Sequence, residues 1–407
     1  YRFKDWTGSV SSPASEDTTV ILDADKTVKA NFEKITVYSL TLTFSPSGSG
    51  SILPVAGTYY YPAGSVVPVV ATPSYRFAFS HWTGGAADPG SPSTTVLLDG
   101  NKSIAANFIP DPFAHAVAID AGDSHSVFLQ DEGTVWTWGL NSSGQLGDGT
   151  FISSLAPLVS PAMESAKAVS AGISHTAALK NDGTVWSWGF NAYGQLGTNS
   201  FSSSTGLPVQ AYNLTNVIAL SCGGYYTVAL KNDGTVWSWG RNDAYQLGMG
   251  YAGDDYSRPA PVQAVGPSGQ GYLDGVTAVS AGFAHTLALR QDGSVWAWGN
   301  NTCGQLGNEN RTSVSYPVKV KGLAGMKGIS GGGTGITGDH SLAVGDNGSV
   351  WAWGDNRSGQ LGDGSNTSRL LPVRVHGTGG EGWLENIRQV AAGGKHSLAL
   401  DSGGNIW

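Results

Sequence analysis

The feature that most restricts the fold of this chain is a block, Val-Trp-x-Trp-Gly, that follows an Asp-Gly or similar pair and recurs. It runs from Gly133 to Gly139, Gly183 to Gly189, Gly234 to Gly240, Gly293 to Gly299 and Gly348 to Gly354. The first glycines are spaced by 50, 51, 59 and 55 residues, with 56 more to Gly404. A fixed period of this length makes each unit a piece of supersecondary structure that buries its apolar face against its neighbours. Eight residues before each of these glycines stand His125, His175, Tyr226, His285, His340 and His396. Behind the Trp pairs comes Asn-x-x-Gly-Gln-Leu-Gly, at 141–147, 191–197, 301–307 and 356–362. The third copy departs from it as Asn242, Asp243, Ala244, Tyr245, Gln246, Leu247, Gly248. A Pro-Val stretch closes every full copy.

Asp-Gly between two alternating apolar runs predicts a tight hairpin, since glycine accepts the positive φ such turns require. Two Trp at period two share one strand face and are placed to pack on the next unit. A meander of about 50 residues repeated five times predicts an all-β fold, a β-propeller of four-stranded blades. A sixth copy reaches only the first Trp of its pair, at Trp407, so the expectation is a propeller cut within a repeat.

A second repeat relates residues 1–32 to residues 77–108 at an offset of 76. Phe3, Trp6, Thr7 and Gly8 match Phe79, Trp82, Thr83 and Gly84, and both copies close on Ala-Asn-Phe at Phe32 and Phe108. Only the second copy has a front half of short strand-like runs, so the first reads as the back half of a repeat. The organisation expected is residues 1–33, residues 34–110, and a propeller over 111–407.

The long repeat resembles the regulator of chromosome condensation repeat family, whose units share these His, Asp-Gly-x-Val-Trp-x-Trp-Gly and Asn-x-x-Gly-Gln-Leu-Gly blocks. The resemblance covers residues 115–407 and implies a ring of seven four-stranded blades, with further blades beyond Trp407. The front of the chain is similar to bacterial surface repeats related to the internalin B repeat. That combination implies a secreted or cell-surface bacterial protein. No segment here matches the surface loops on which nucleotide exchange by a family member depends, and fold alone does not carry function.

Charge excludes some partners. The chain has 22 Lys+Arg against 30 Asp+Glu, a net −8, with no basic cluster of the kind that follows a nucleic-acid backbone. No apolar run reaches the roughly 18 residues of a membrane helix, so membrane insertion is not expected. The repeated His recur once per blade around a ring, which reads as framework bonded to nearby backbone rather than a metal cluster. The turn acids Asp131, Asp182, Asp233 and Asp292 read as turn formers. Cys222 and Cys303 fall in different registers. No cofactor, metal site or catalytic group is expected.

Residues that depart from their own repeat consensus are those the framework does not explain. Tyr225, Arg241, Tyr245, Tyr251, Tyr256, Arg258, Arg357 and Trp383 meet that test, and Tyr, Trp and Arg are enriched at binding hot spots. Asp254 and Asp255 join them, in an insertion over 251–258. The expectation is a non-catalytic, monomeric module that binds a protein or cell-surface glycan through loops on one face. The alternatives are an inhibitor or exchange-type regulator of a protein partner, and a polysaccharide-active enzyme, which needs a facing pair of carboxylates.

Overall fold

A computed structural model of the chain describes residues 1–111, 115–251, 256–334 and 338–407. Asp254 and Asp255 lie outside the described residues. The chain divides into two units, Tyr1–His115 and Ala116–Trp407.

The first unit shows the 76-residue repeat in three dimensions. Strands Arg2–Thr7 and Lys29–Glu33 form an antiparallel pair, and Phe77–Thr83 pairs with Lys102–Pro110 in the same way. Trp6 Nε1 donates to Ser15 O at 3.0 Å, as Trp82 Nε1 does to Ser91 O. Phe3 meets Phe32 edge-on at 6.1 Å, as Phe79 meets Phe108. The second copy adds Val37–Ser45 and Gly57–Pro62 to its sheet, and a three-stranded sheet of Gly50–Leu53, Val66–Pro73 and Ser93–Leu97. Leu40, Leu42, Val69, Val96, Ile104 and Trp82 fill the core between them. Phe108 is buried there, whereas Phe32 is 61% exposed.

The second unit is a row of five four-stranded antiparallel blades, followed by a two-stranded sheet of Ile387–Ala392 and Ser397–Asp401. In the second blade the strands are Ala166–Ala171, His175–Lys180, Val185–Gly189 and Thr205–Gln210. First strands of successive blades adjoin, so they are innermost. The upper end of a blade carries the turn before the repeated His and the long Asn-x-x-Gly-Gln-Leu-Gly loop. The lower end carries the Asp-Gly turn and the connection to the next blade.

Each consensus residue has a task. The second Trp of a pair (Trp188, Trp239, Trp298, Trp353) is fully buried against the preceding blade. Its Nε1 donates to the main-chain carbonyl of that blade's loop Gln (Gln145, Gln195, Gln246, Gln305) at 2.8–3.0 Å. The loop Asn accepts from the Leu N–H five residues on, and the Gln Oε1 caps the N–H two residues back. Gly147 is required twice over. Its φ is +69°, and a Cβ there would sit 2.6 Å from Trp188 Nε1.

The expected bond to nearby backbone is made by His340, whose Nδ1 lies 2.9 Å from Gly338 O, but the contact the units share runs to the next blade. His125, His175, His285 and His340 direct Nε2 to a hydroxyl of the next blade: Thr176, Thr227, Ser341 and Ser397, at 2.8–3.1 Å. Each hydroxyl also reaches the loop Gln carbonyl of the blade its histidine belongs to. Tyr226 does the same job with its hydroxyl, bonded to His285 O at 2.5 Å and Thr286 Oγ1 at 3.0 Å. A phenol thus spans the gap that imidazole spans elsewhere, which is why the third unit tolerates the exchange. The Asp-Gly acids close their own turns: Asp182, Asp233 and Asp292 each accept from the N–H and hydroxyl two residues on. Cys222 and Cys303 are buried and free.

Candidate binding face at the upper end of the blades

The framework leaves two neighbouring upper positions without a fixed residue in every blade. One precedes the repeated His; the other follows Trp-Gly. The N–H of the second donates to the carbonyl of the first at 2.8–2.9 Å in all five blades, so the two always lie side by side. The pairs are Ser124/Leu140, Ser174/Phe190, Tyr225/Arg241, Ala284/Asn300 and Asp339/Asp355. The repeat does not fix the side chain at either position.

In the second to fourth blades these positions and their loops build one aromatic cluster. Tyr225 lies 5.9 Å from Phe190, 5.3 Å from Tyr193 and 6.2 Å from Phe283, in tilted and edge-on contacts. Such geometry suits the ring quadrupoles. The Arg241 guanidinium stands 5.2 Å over Tyr193 and 5.7 Å over Tyr225. It also donates to Asp243. All five side chains are half-buried, with surface left towards solvent.

Beyond Phe283 two buried carboxyl groups lie at the same end. Asp339 and Asp355 are 1% and 3% exposed. Asp339 Oδ2 accepts from Asn300 Nδ2 at 3.1 Å and Gln305 Nε2 at 3.0 Å, while its Oδ1 has no partner among the described residues. Burial, with a contribution from Asp355, pushes the Asp339 carboxyl up to about 7. Asp355 is held by Gly338 N, Ser368 Oγ and a two-point contact from Arg357. Despite burial, those donors keep its carboxyl below the usual range. Cys303, beside them, has its thiol raised by burial and by the Asp355 charge. No group of three or more His, Cys, Asp or Glu able to hold a metal occurs among the described residues.

The structure brings Tyr225 and Arg241 together and places Arg357 on the same end, clamped to Asp355. Tyr245 belongs to the upper loop of the third blade and takes φ +67° where the other units have glycine. Tyr251 and Tyr256 are exposed on either side of the undescribed 252–255, and Arg258 Nη1 turns back to Tyr256 O at 3.0 Å. Trp383 is apart from the rest. It sits at the lower end, in the connection after the fifth blade, edge-on to His376 at 5.2 Å with Arg374 over its ring. Sequence reasoning missed Phe190, Tyr193, Phe283, Asn300, Asp339 and Asp355. Placing all units in register and reading the two unfixed columns would have found Phe190, Asn300, Asp339 and Asp355. Tyr193 and Phe283 fall in other columns.

Comparison with known proteins agrees with this architecture. The family model of the RCC1-like domain matches residues 92–407, and that of the divergent InlB B-repeat domain matches 1–36 and 40–112. The ultraviolet-B receptor UVR8 of Arabidopsis thaliana is 32% identical over 75% of this chain, which spans 56% of the receptor. The probable E3 ubiquitin-protein ligase HERC3 of Homo sapiens is 37% identical over 76% of this chain and 29% of its own length. Among solved structures, yeast RCC1 (Prp20) bound to Kap60 superposes with a TM-score of 0.61 at 23% identity, covering 74% of this chain and 72% of that one. With five co-registered blades, their shared latch and a family match over most of its length, this chain belongs to the RCC1-like domain family, and its front carries a region like the InlB B-repeat.

Proposed function

We propose that this chain is a non-catalytic binding module that recognises a partner protein through the upper face of its propeller, carried outside a bacterial cell by the InlB-like repeats. The observation that carries this reading is the aromatic and arginine cluster assembled from three blades at positions the framework leaves open. Blades latched by buried Trp and His bonds hold those side chains in place before contact, so little ordering entropy opposes association. Solved yeast RCC1 in complex with Kap60 supports a propeller of this family as a protein-binding platform. An inhibitor or exchange-type regulator would use the same face on an enzyme partner. A polysaccharide-active enzyme finds less support: Asp339 and Asp355 are buried, and the second is already engaged by Arg357.

The test is photo-crosslinking from position 193 in extracts of surface proteins, alongside a glycan array. Wild type should capture a discrete protein. The double variant Tyr225→Ser, Arg241→Leu should lose it at an unchanged melting temperature, since Ser and Leu occupy those positions in other blades. Capture that survives the double variant would refute the face, and a glycan signal without protein capture would refute the partner class.

A further inference from the structure

We propose that Arg241 is a receptor for a side-chain carboxylate: its guanidinium grips an Asp or Glu of the protein that docks on the upper face. The inference rests on the binding-face reading and adds the chemistry of the partner. Arg241 is the only basic residue among the five post-Trp-Gly positions, where the others are Leu140, Phe190, Asn300 and Asp355. It is not spread loosely over the surface. Its Cζ lies 5.2 Å from the Tyr193 ring centre and 5.7 Å from that of Tyr225, and its Nη2 donates to Asp243. A guanidinium has five N–H donors in a rigid fork. The Asp243 contact uses one Nη2 N–H, so one two-point edge, the second Nη2 N–H with that of Nε or of Nη1, is left without a partner among the described residues, and the side chain is 30% exposed.

Two features favour a carboxylate over other occupants. A planar fork matches a planar two-oxygen acceptor, and charge-assisted bonds of that kind are roughly twice as strong as neutral ones. The surrounding rings of Phe190, Tyr193, Tyr225 and Phe283 displace water, so a bond made there is stronger than the same bond in open solvent. An Asp or Glu flanked by apolar side chains would fill both the fork and the aromatic floor. The Asp243 pair alone is a surface ion pair, which contributes little and is readily rearranged. The net charge of −8 works against long-range attraction of an acidic partner. At physiological ionic strength, charges beyond about 8 Å are largely screened, so recognition is decided at the clamp.

The test uses the 407-residue chain labelled with nitrogen-15 and two capped peptides, acetyl-Leu-Glu-Leu-amide and its Gln counterpart. The Glu peptide should shift the Arg241 Nε–Hε signal together with the Tyr193 and Tyr225 ring signals, with the Gln peptide about tenfold weaker. Arg241→Lys, which keeps the charge and loses the fork, should weaken the Glu peptide by a similar factor. Ring shifts that are equal for both peptides, with Arg241 unmoved, would overturn the receptor and leave the binding face standing. Inorganic phosphate acting on Arg241 as strongly as the Glu peptide would overturn the carboxylate assignment. No shift anywhere with either peptide would overturn the receptor, and the crosslinking result above then decides the face independently.

Discussion

Burial gives His125, His175 and His285 an acid-labile character. Desolvation holds His125 down at about 4 and His175 and His285 at about 3. Their folded values lie below the unfolded value near 6.5, so the unfolded chain binds more protons between those limits. The stability they contribute is complete above pH 6.5 and is lost as pH falls towards 3–4. A pH series of urea midpoints should fall below pH 6.5 with a slope of up to about 1.4 kcal/mol per unit for each histidine. His175→Tyr, which copies the exchange already present at Tyr226, should flatten that slope; an unchanged slope would refute the assignment. Asp339 acts in the opposite sense. Its folded carboxyl titrates above the unfolded value, so stability falls as pH rises from about 4 through about 7. Asp339→Asn should therefore be more stable than wild type at pH 8, by about 1–3 kcal/mol, with the gain gone below about pH 4. A gain that is the same at both pH values would point to packing instead.

Within a strand, the two tryptophans of a pair are equivalent in sequence and unequal in structure. Trp239 is fully buried with its Nε1 on Gln195 O, whereas Trp237 is half-exposed, bonded to Thr235 Oγ1 and covered by Lys231. Trp239→Phe leaves a buried carbonyl one donor short and a void, and should cost about 2–4 kcal/mol. Trp237→Phe should cost under about 1 kcal/mol, because water replaces the lost contacts. Equal losses in thermal unfolding would refute the latch. The hairpins, the loop with its Asn and Gln, and the shared face of each Trp pair were all legible in sequence, because each is set by local backbone geometry and period. The difference between the two tryptophans was not, since it depends on which end of the strand the preceding blade's loop reaches.

Across the whole row of blades the same hydroxyl latch repeats between first strands. Ser170 Oγ accepts from Cys222 N, Ser221 from Ala281 N, Ser280 from Gly331 N and Ser330 from Ala392 N, with Asp120 serving Ala171 N in the first blade. Each blade depends on its neighbours, so damage should stay local. Ser221→Ala should cost about 1 kcal/mol and speed hydrogen exchange at Ala281 and the third and fourth blades, leaving the first blade protected. Uniform loss of protection would refute nearest-neighbour coupling. By itself the sequence determined the all-β class, the repeat lengths, the blade unit and the residues that hold it, since all of these are written in short periods along one strand or turn. Only the tertiary structure decided what the units present together. Arg241 meets Tyr193, 48 residues earlier in the chain, and Asp339 meets Asn300, because stacking brings the upper turns and loops of successive blades side by side. Trp383 satisfied the same sequence test, yet the strand direction carries it to the other end of the blade.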